Sequence, residues 1–187
     1  MVKQFTCFRI RIGQATNREP TAQPALKPGR TRRFYLVLLL IILVVTSLAT
    51  YFALSYNSAH GTIVQIVSAS RRLDQGPSSA PFETLTFVVE VHVWSWGAAL
   101  ETHLSNPTFN LSVDNFALPI PEYGVSASFQ SGSYAPYPLI FATADQSMIQ
   151  AEGQSGSSNL KISMNVLVTS GLYSEQRTVS DSRDMNW

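Results

Sequence analysis

The feature that most constrains this chain is an apolar run of 21 residues from Phe34 to Leu54, without a charged residue or a proline. In a helix, which rises about 1.5 Å per residue, the run would span about 31 Å, close to the ~30 Å hydrocarbon core of a bilayer. No polar face interrupts the run, which disfavours the amphipathic core helix of a soluble domain. We therefore expect one transmembrane helix over residues 34–56.

The charges on the two sides of this run predict its orientation. Residues 1–33 carry eight basic residues and one acidic residue, whereas five basic and eleven acidic residues follow residue 54. Arg30, Arg32 and Arg33 directly precede the run, and basic flanks stay in the cytoplasm. We expect a basic, disordered cytoplasmic tail over 1–33 and an extracytoplasmic domain over 57–187. A cleaved signal peptide is the alternative, disfavoured by the length of the run and of the segment before it.

The outer part shows the alternation of half-buried β-strands. In residues 83–94 one face carries only apolar side chains: Phe87, Val89, Val91 and Val93. Similar patterns occur at 108–114 and 159–169, and weaker ones at 62–69, 99–104, 123–130 and 138–144. Asn106-Pro107 predicts a turn, and the polar C-terminal DSRDMNW predicts a frayed end. About seven short strands predict a mainly β fold, one antiparallel Ig-like β-sandwich after the helix.

Two histidines could meet two carboxylates on one strand face. If strands 87–94 and 99–104 form a hairpin around residues 95–98, His92 lies opposite Glu101 and Glu90 lies opposite His103. Cross-strand Glu–His pairs on a solvated face are the interpretation we favour. The alternative is a metal site made of two histidines and two carboxylates.

Other residues suggest contacts rather than chemistry. Trp94, Trp96, Tyr134 and Tyr137 lie near predicted strand ends, where aromatic side chains either plug the core or anchor a protein contact. Asn110-Leu111-Ser112 is a glycosylation acceptor triplet, with Asn110 on the outward face of its strand. The chain contains no G-x-S-x-G elbow, P-loop, H-E-x-x-H or C-x-x-C motif. We therefore expect neither catalysis nor a cofactor, and the acidic outer part disfavours nucleic acid binding.

The order of features resembles membrane-anchored proteins of the late-embryogenesis-abundant type 2 (WHy-domain) group. The matching segments are TIVQIVSAS (62–70), ETLTFVVEVHV (83–93) and LSNPTFNLSV (104–113). In that group Asn-Pro usually ends the strong central strand directly, whereas here WSWGAALETHLS intervenes. The layout is also similar to archaeal envelope and surface-filament accessory subunits, which join one N-terminal helix to a β-sandwich. Neither resemblance implies catalysis.

These observations together predict a function class. We expect a non-enzymatic single-pass protein of the cell membrane, whose outer sandwich is a structural or accessory subunit of an envelope or membrane complex. Its partners would be the lipid bilayer and one or more membrane or envelope proteins. The alternatives are a stress-protective WHy-like domain and a metal-dependent envelope enzyme that uses His92 and His103.

Overall fold

A computed structural model describes residues 28–75, 83–152 and 156–187. Helix α1 covers Pro28–His60, so it begins six residues before the predicted span and ends four residues after it. Within its segment Arg32–His60 an 18-residue window has a mean hydropathy of 2.6, and the segment is long and apolar enough to cross a membrane. Arg30, Arg32 and Arg33 belong to its first turns. The predicted disordered tail lies, over residues 1–27, outside the described residues.

The described residues after α1 form nine strands and one short helix. The clearest sequence patterns correspond to the long strands, and only the seven-residue α2 interrupts their order. The bounds are β1 Thr62–Gln75, β2 Glu83–Ser95, β3 Thr102–Val113, β4 Phe116–Ala117, β5 Glu122–Tyr123, β6 Ala127–Phe129, β7 Ala135–Thr143, α2 Gln146–Glu152, β8 Ser157–Ser170 and β9 Tyr173–Asn186.

The strands form two antiparallel sheets that enclose one core, which confirms the predicted β-sandwich. The first sheet has the order β1-β2-β7 and the second has the order β4-β3-β8-β9, with β5 and β6 also paired to β3. The predicted inward faces of β2, β3 and β8 are buried, and Phe87, Phe109 and Met164 are fully inaccessible to solvent. Val125, within the weakly alternating segment 123–130, is 81% exposed because it lies in the loop between β5 and β6.

The hairpin between β2 and the strand after it is a wrong prediction. β2 pairs with β1 and β7, while β3 pairs with β8 in the other sheet, so the chain changes sheets between Ser95 and Thr102. Contacts distant in sequence hold this crossover. The Trp96 N–H donates to the Gly61 carbonyl at 3.0 Å, and the Ala99 N–H donates to Ser58 Oγ at 3.0 Å.

The predicted Asn106-Pro107 turn is a bulge inside the continuous strand β3. The pairing of β3 with β8 shifts register between Ser105 and Thr108, and Asn106 has a φ of 50°. An Asn tolerates this left-handed conformation better than most residues, and Pro107 lacks an N–H for the ladder. The dipeptide therefore bends the strand without ending it.

The C-terminal residues form the long edge strand β9 instead of the predicted frayed end. β9 pairs with β8 along its length. Its charged side chains bond to the backbone of β1, where the Ile66 N–H donates to Asp181 Oδ2 at 2.8 Å and Arg183 Nη1 donates to the Val67 carbonyl at 2.8 Å. Trp187 docks as well, and its Nε1 donates to Ser158 Oγ at 2.9 Å. These contacts join the edges of the two sheets on one side of the sandwich.

Candidate interaction surface

Exposed aromatic side chains gather on the outer face of the three-stranded sheet. Trp94 and Trp96 have ring centroids 4.6 Å apart, and His92 stacks on Tyr134 with centroids 3.8 Å apart and planes 15° from parallel. We call these four residues the aromatic face. Trp96 is 65% exposed and Tyr134 is 54% exposed, so solvent reaches large parts of both rings.

Strand pairing brings these side chains together from three segments. His92 and Trp94 are two residues apart on β2 and therefore point to the same side of the sheet. Pro136 of β7 lies opposite His92, which places the preceding Tyr134 beside the histidine ring. On the other flank, Gln65 of β1 pairs with His92. The aromatic face thus depends on the β1-β2-β7 order.

The aromatic face borders a shallow hollow of about 190 Å³. Gln65, His92, Trp94 and Tyr134 line it, together with the Gly132-Ser133 turn. Pockets for small-molecule ligands usually measure about 300–1,000 Å³. The hollow is smaller than that range and suits a single protruding side chain.

A carboxylate and further apolar residues continue this surface along the sheet. Glu90 Oε1 lies 3.4 Å from His92 Nε2, and Ser68 Oγ donates to Glu90 Oε2 at 3.3 Å. Beyond Glu90, the cross-strand neighbours Val88 and Ile140 are 41% and 57% exposed. The outer side of β2 and β7 therefore combines aromatic, apolar and acidic groups.

Tyr137, the fourth aromatic residue predicted for an interaction, belongs to the core. It is 5% exposed, its ring packs against Phe109 at 5.1 Å between centroids, and its hydroxyl donates to the Val125 carbonyl at 3.0 Å. Burial raises the pKa of Tyr137 to about 12. Tyr137 alternates with the outward prolines of β7, so its side chain faces inward.

The structure does not bring together the four residues considered for a metal site. Glu90 and His92 are neighbours on β2, whereas His103 lies in the second sheet with its Nδ1 2.8 Å from Ser128 Oγ. Glu101 lies in the crossover segment. Across residues 28–75, 83–152 and 156–187, no three His, Cys, Asp or Glu side chains are arranged to hold a metal ion. The hairpin register that suggested the site is wrong, because β2 and β3 do not pair.

Asn110 occupies the middle of β3. It is half-buried and lies opposite Ser163 of β8, while its neighbours Phe109 and Leu111 point into the core. The expected outward direction is therefore confirmed, although the acceptor triplet lies within a strand rather than a loop. Glycosylation there stays a prediction.

Sequence reasoning assigned His92 to the wrong group and did not identify Gln65 or Ser133. His92 was grouped with His103, but its ring neighbour is Tyr134, about forty residues away. The local signal is that Tyr134 directly precedes the alternating residues of β7. It becomes a contact with His92 only because β7 pairs with β2.

Comparison with known proteins finds solved structures of low sequence identity. No protein-family model matches the sequence, and no curated protein matches it significantly. A solved structure described as a protein from Archaeoglobus fulgidus shares 8% identity and a TM-score of 0.37 over 66% of this chain and 98% of its own. Northeast Structural Genomics Consortium target SoR45 shares 9% identity and a TM-score of 0.47 over 69% of this chain and 89% of its own.

Proposed function

We propose that this protein is a non-enzymatic, single-pass membrane subunit whose outer sandwich binds another membrane or envelope protein through the aromatic face. The observation that carries the proposal is the presence of exposed aromatic rings that are already packed against neighbouring rings beside a hollow of side-chain size. Trp and Tyr are enriched among residues that dominate binding energy in protein interfaces. Rings held by stacking lose little conformational entropy on binding, which favours affinity.

The position of the aromatic face indicates a partner that is itself close to the membrane. Trp96 bonds to Gly61, which lies seven residues beyond the last residue of the apolar run, Leu54. At ~1.5 Å per helical residue this distance is about 10 Å, a little beyond the headgroup region, which is about 5–8 Å thick on each side. A partner that binds Trp94 and Trp96 must therefore approach the bilayer surface.

The proposal also includes an orientation. Arg30, Arg32 and Arg33 at the start of α1 support a cytoplasmic N-terminus and an extracytoplasmic sandwich. Protease added to intact cells should then remove a tag fused after Trp187 and spare a tag placed before Met1. The opposite pattern would refute this orientation.

A photo-crosslinking experiment tests the partner. A photoreactive amino acid is placed at Tyr134 in the full-length protein in its native membrane, and at Tyr123 as a matched control. Tyr123 is 76% exposed and lies on β5, which pairs with β3 in the other sheet. We expect a discrete crosslinked protein from position 134 and none from position 123.

A pair of substitutions provides a second test of binding through the aromatic face. Trp96→Ala in a protein that carries the photoreactive residue at 134 should abolish the crosslink, while Phe116→Ala should preserve it. Phe116 is 52% exposed on β4, in the other sheet. Equal crosslinking at 134 and 123, or a crosslink unaffected by Trp96→Ala, would contradict binding through the aromatic face.

A further inference from the structure

The helix is fixed to the sandwich without a flexible linker. Ser55, Ser58 and Ala59 of α1 are fully buried. Ser58 Oγ accepts hydrogen bonds from the N–H groups of Ala99 at 3.0 Å and Leu100 at 3.3 Å. Only Gly61 separates α1 from β1, so the last turns of the helix form part of the domain.

A second set of contacts holds the end of α1. Arg177 of β9 donates to the carbonyls of Ala59 and His60. A cation at this position satisfies terminal carbonyls and complements the negative end of the helix dipole. Glu175 lies 3.3 Å from Arg177 and 3.2 Å from His60 and holds both groups in place.

The turn between β8 and β9 contacts α1 a few residues earlier in the helix, at the end of the apolar run. The Leu172 N–H donates to Ser55 Oγ at 3.3 Å, and Ser55 directly follows Leu54. Since the run from Phe34 to Leu54 matches the hydrocarbon thickness at about 31 Å, this hydrogen bond lies at the hydrocarbon boundary. The height of Leu172 is therefore set by the helix that crosses the membrane.

Leu172 is nevertheless 67% exposed, although polar residues are usual in such a turn. On the adjacent helix surface Tyr51 is 40% exposed and Phe52 is 50% exposed, and their aromatic rings suit the membrane interface. The exposed apolar surface of the turn is thus continuous with the apolar surface of the span.

From these contacts we propose that the β8–β9 turn enters the bilayer interface through Leu172 and seats the base of the sandwich on the membrane. The inference rests on the part of the proposed function that makes α1 a membrane anchor. It does not depend on a protein partner at the aromatic face.

Depth measurements by electron paramagnetic resonance test this docking. Cys7, the one cysteine of the chain, is replaced by Ser, and single-cysteine variants at Leu172, Ile120 and Leu43 receive a nitroxide label. The full-length proteins are reconstituted in phosphatidylcholine nanodiscs. Relaxation by oxygen, which concentrates in lipid, is compared with relaxation by a water-soluble nickel chelate.

Ile120 is the matched control because it is 64% exposed and lies far from the base of the sandwich. Its neighbour Leu118 bonds to Leu111, nine residues along β3 from Thr102 at the base, which is about 30 Å at ~3.3 Å per residue. Leu43, in the middle of the apolar run, reports insertion of α1 itself.

We expect the label at Leu172 to be several-fold less accessible to the nickel chelate than the label at Ile120, and the label at Leu43 to favour oxygen most. Equal nickel accessibility at 172 and 120, with Leu43 in lipid, would overturn the docking and leave the anchor intact. A Leu43 label exposed to nickel would overturn the anchor and the docking together.

Discussion

Gly171 determines how closely the sandwich approaches the helix, and its substitution should weaken the protein more than an ordinary turn substitution. Its φ is 54°, and an added Cβ would collide with Ser55 Oγ and lie 2.9 Å from the Tyr51 hydroxyl and 3.1 Å from Leu100 Cδ1. The left-handed conformation costs a non-glycine residue about 1–2 kcal/mol, and overpacking typically adds about 1–3 kcal/mol. Gly171→Ala should therefore lower the free energy of unfolding by about 2–5 kcal/mol.

Gly132→Ala is the matched control for this substitution. Gly132 has a φ of 79°, but no atom lies within 4 Å of the position of an added Cβ. Gly132→Ala should therefore lower the free energy of unfolding only by the cost of the left-handed backbone conformation, about 1–2 kcal/mol. Urea unfolding in detergent, followed by tryptophan fluorescence, compares the two, because all three tryptophans lie in the sandwich. Equal losses in the two variants would refute the tight approach at Gly171.

A double-mutant cycle identifies the atom responsible. Ser55→Ala removes the oxygen that the new methyl group would meet, at the cost of the hydrogen bond from Leu172. In the Gly171→Ala, Ser55→Ala protein the combined loss should be smaller than the sum of the two single losses. Additive losses would place the strain elsewhere in the turn.

Two further predictions concern the core and the pH dependence of stability. Phe109→Ala should lower the free energy of unfolding by about 3–5 kcal/mol because Phe109 is fully buried, whereas the half-exposed Phe116→Ala should change it little; urea midpoints compare the two. Burial raises the pKa of Glu175, but the Tyr173 hydroxyl and the neighbouring cationic groups outweigh this effect and hold the pKa below its usual value. Its charged form therefore stabilises the fold above the ordinary glutamate pKa of about 4.3, and this stabilisation disappears as pH falls through the lower folded pKa. Glu175→Gln should flatten the loss of stability between about pH 5 and pH 3, and an unchanged acid profile relative to wild type would contradict this assignment.

The elements that could be predicted from the sequence are those whose buried side chains form an apolar pattern within one continuous segment. The alternation around Phe87 identifies β2, and the uncharged run before Leu54 identifies the helix. β9 has the same period of two, but its half-buried positions carry Glu175, Arg177 and Asp181. Arg177 and Asp181 satisfy backbone groups of α1 and β1 that are more than a hundred residues away, so hydrophobic periodicity could not identify the strand.

The candidate site was predictable only as a set of residue types. Trp94 and Trp96 stand out locally, but their relation to Tyr134 depends on the pairing of β2 with β7. The hairpin expected at residues 95–98 failed because Ser58 and Gly61 bind the crossover, and neither contact has a local signature. The hairpin register grouped His92 with Glu101 in cross-strand pairs or a metal site, whereas the observed pairing places His92 against Tyr134.

The two proposed surfaces are both held by the C-terminal end of α1. Gly61 bonds to Trp96 of the aromatic face, and six residues earlier Ser55 bonds to Leu172 of the lipid-facing turn. Because Ser55 lies near the end of α1 and Gly61 directly follows the helix, the helix determines the height of both surfaces. A sandwich on a flexible linker would sample many heights and pay an entropic cost on meeting a membrane-bound partner. In the proposed arrangement, fixing the aromatic face about 10 Å above the hydrocarbon would remove part of this cost and would favour partners that present their own contact at the same level.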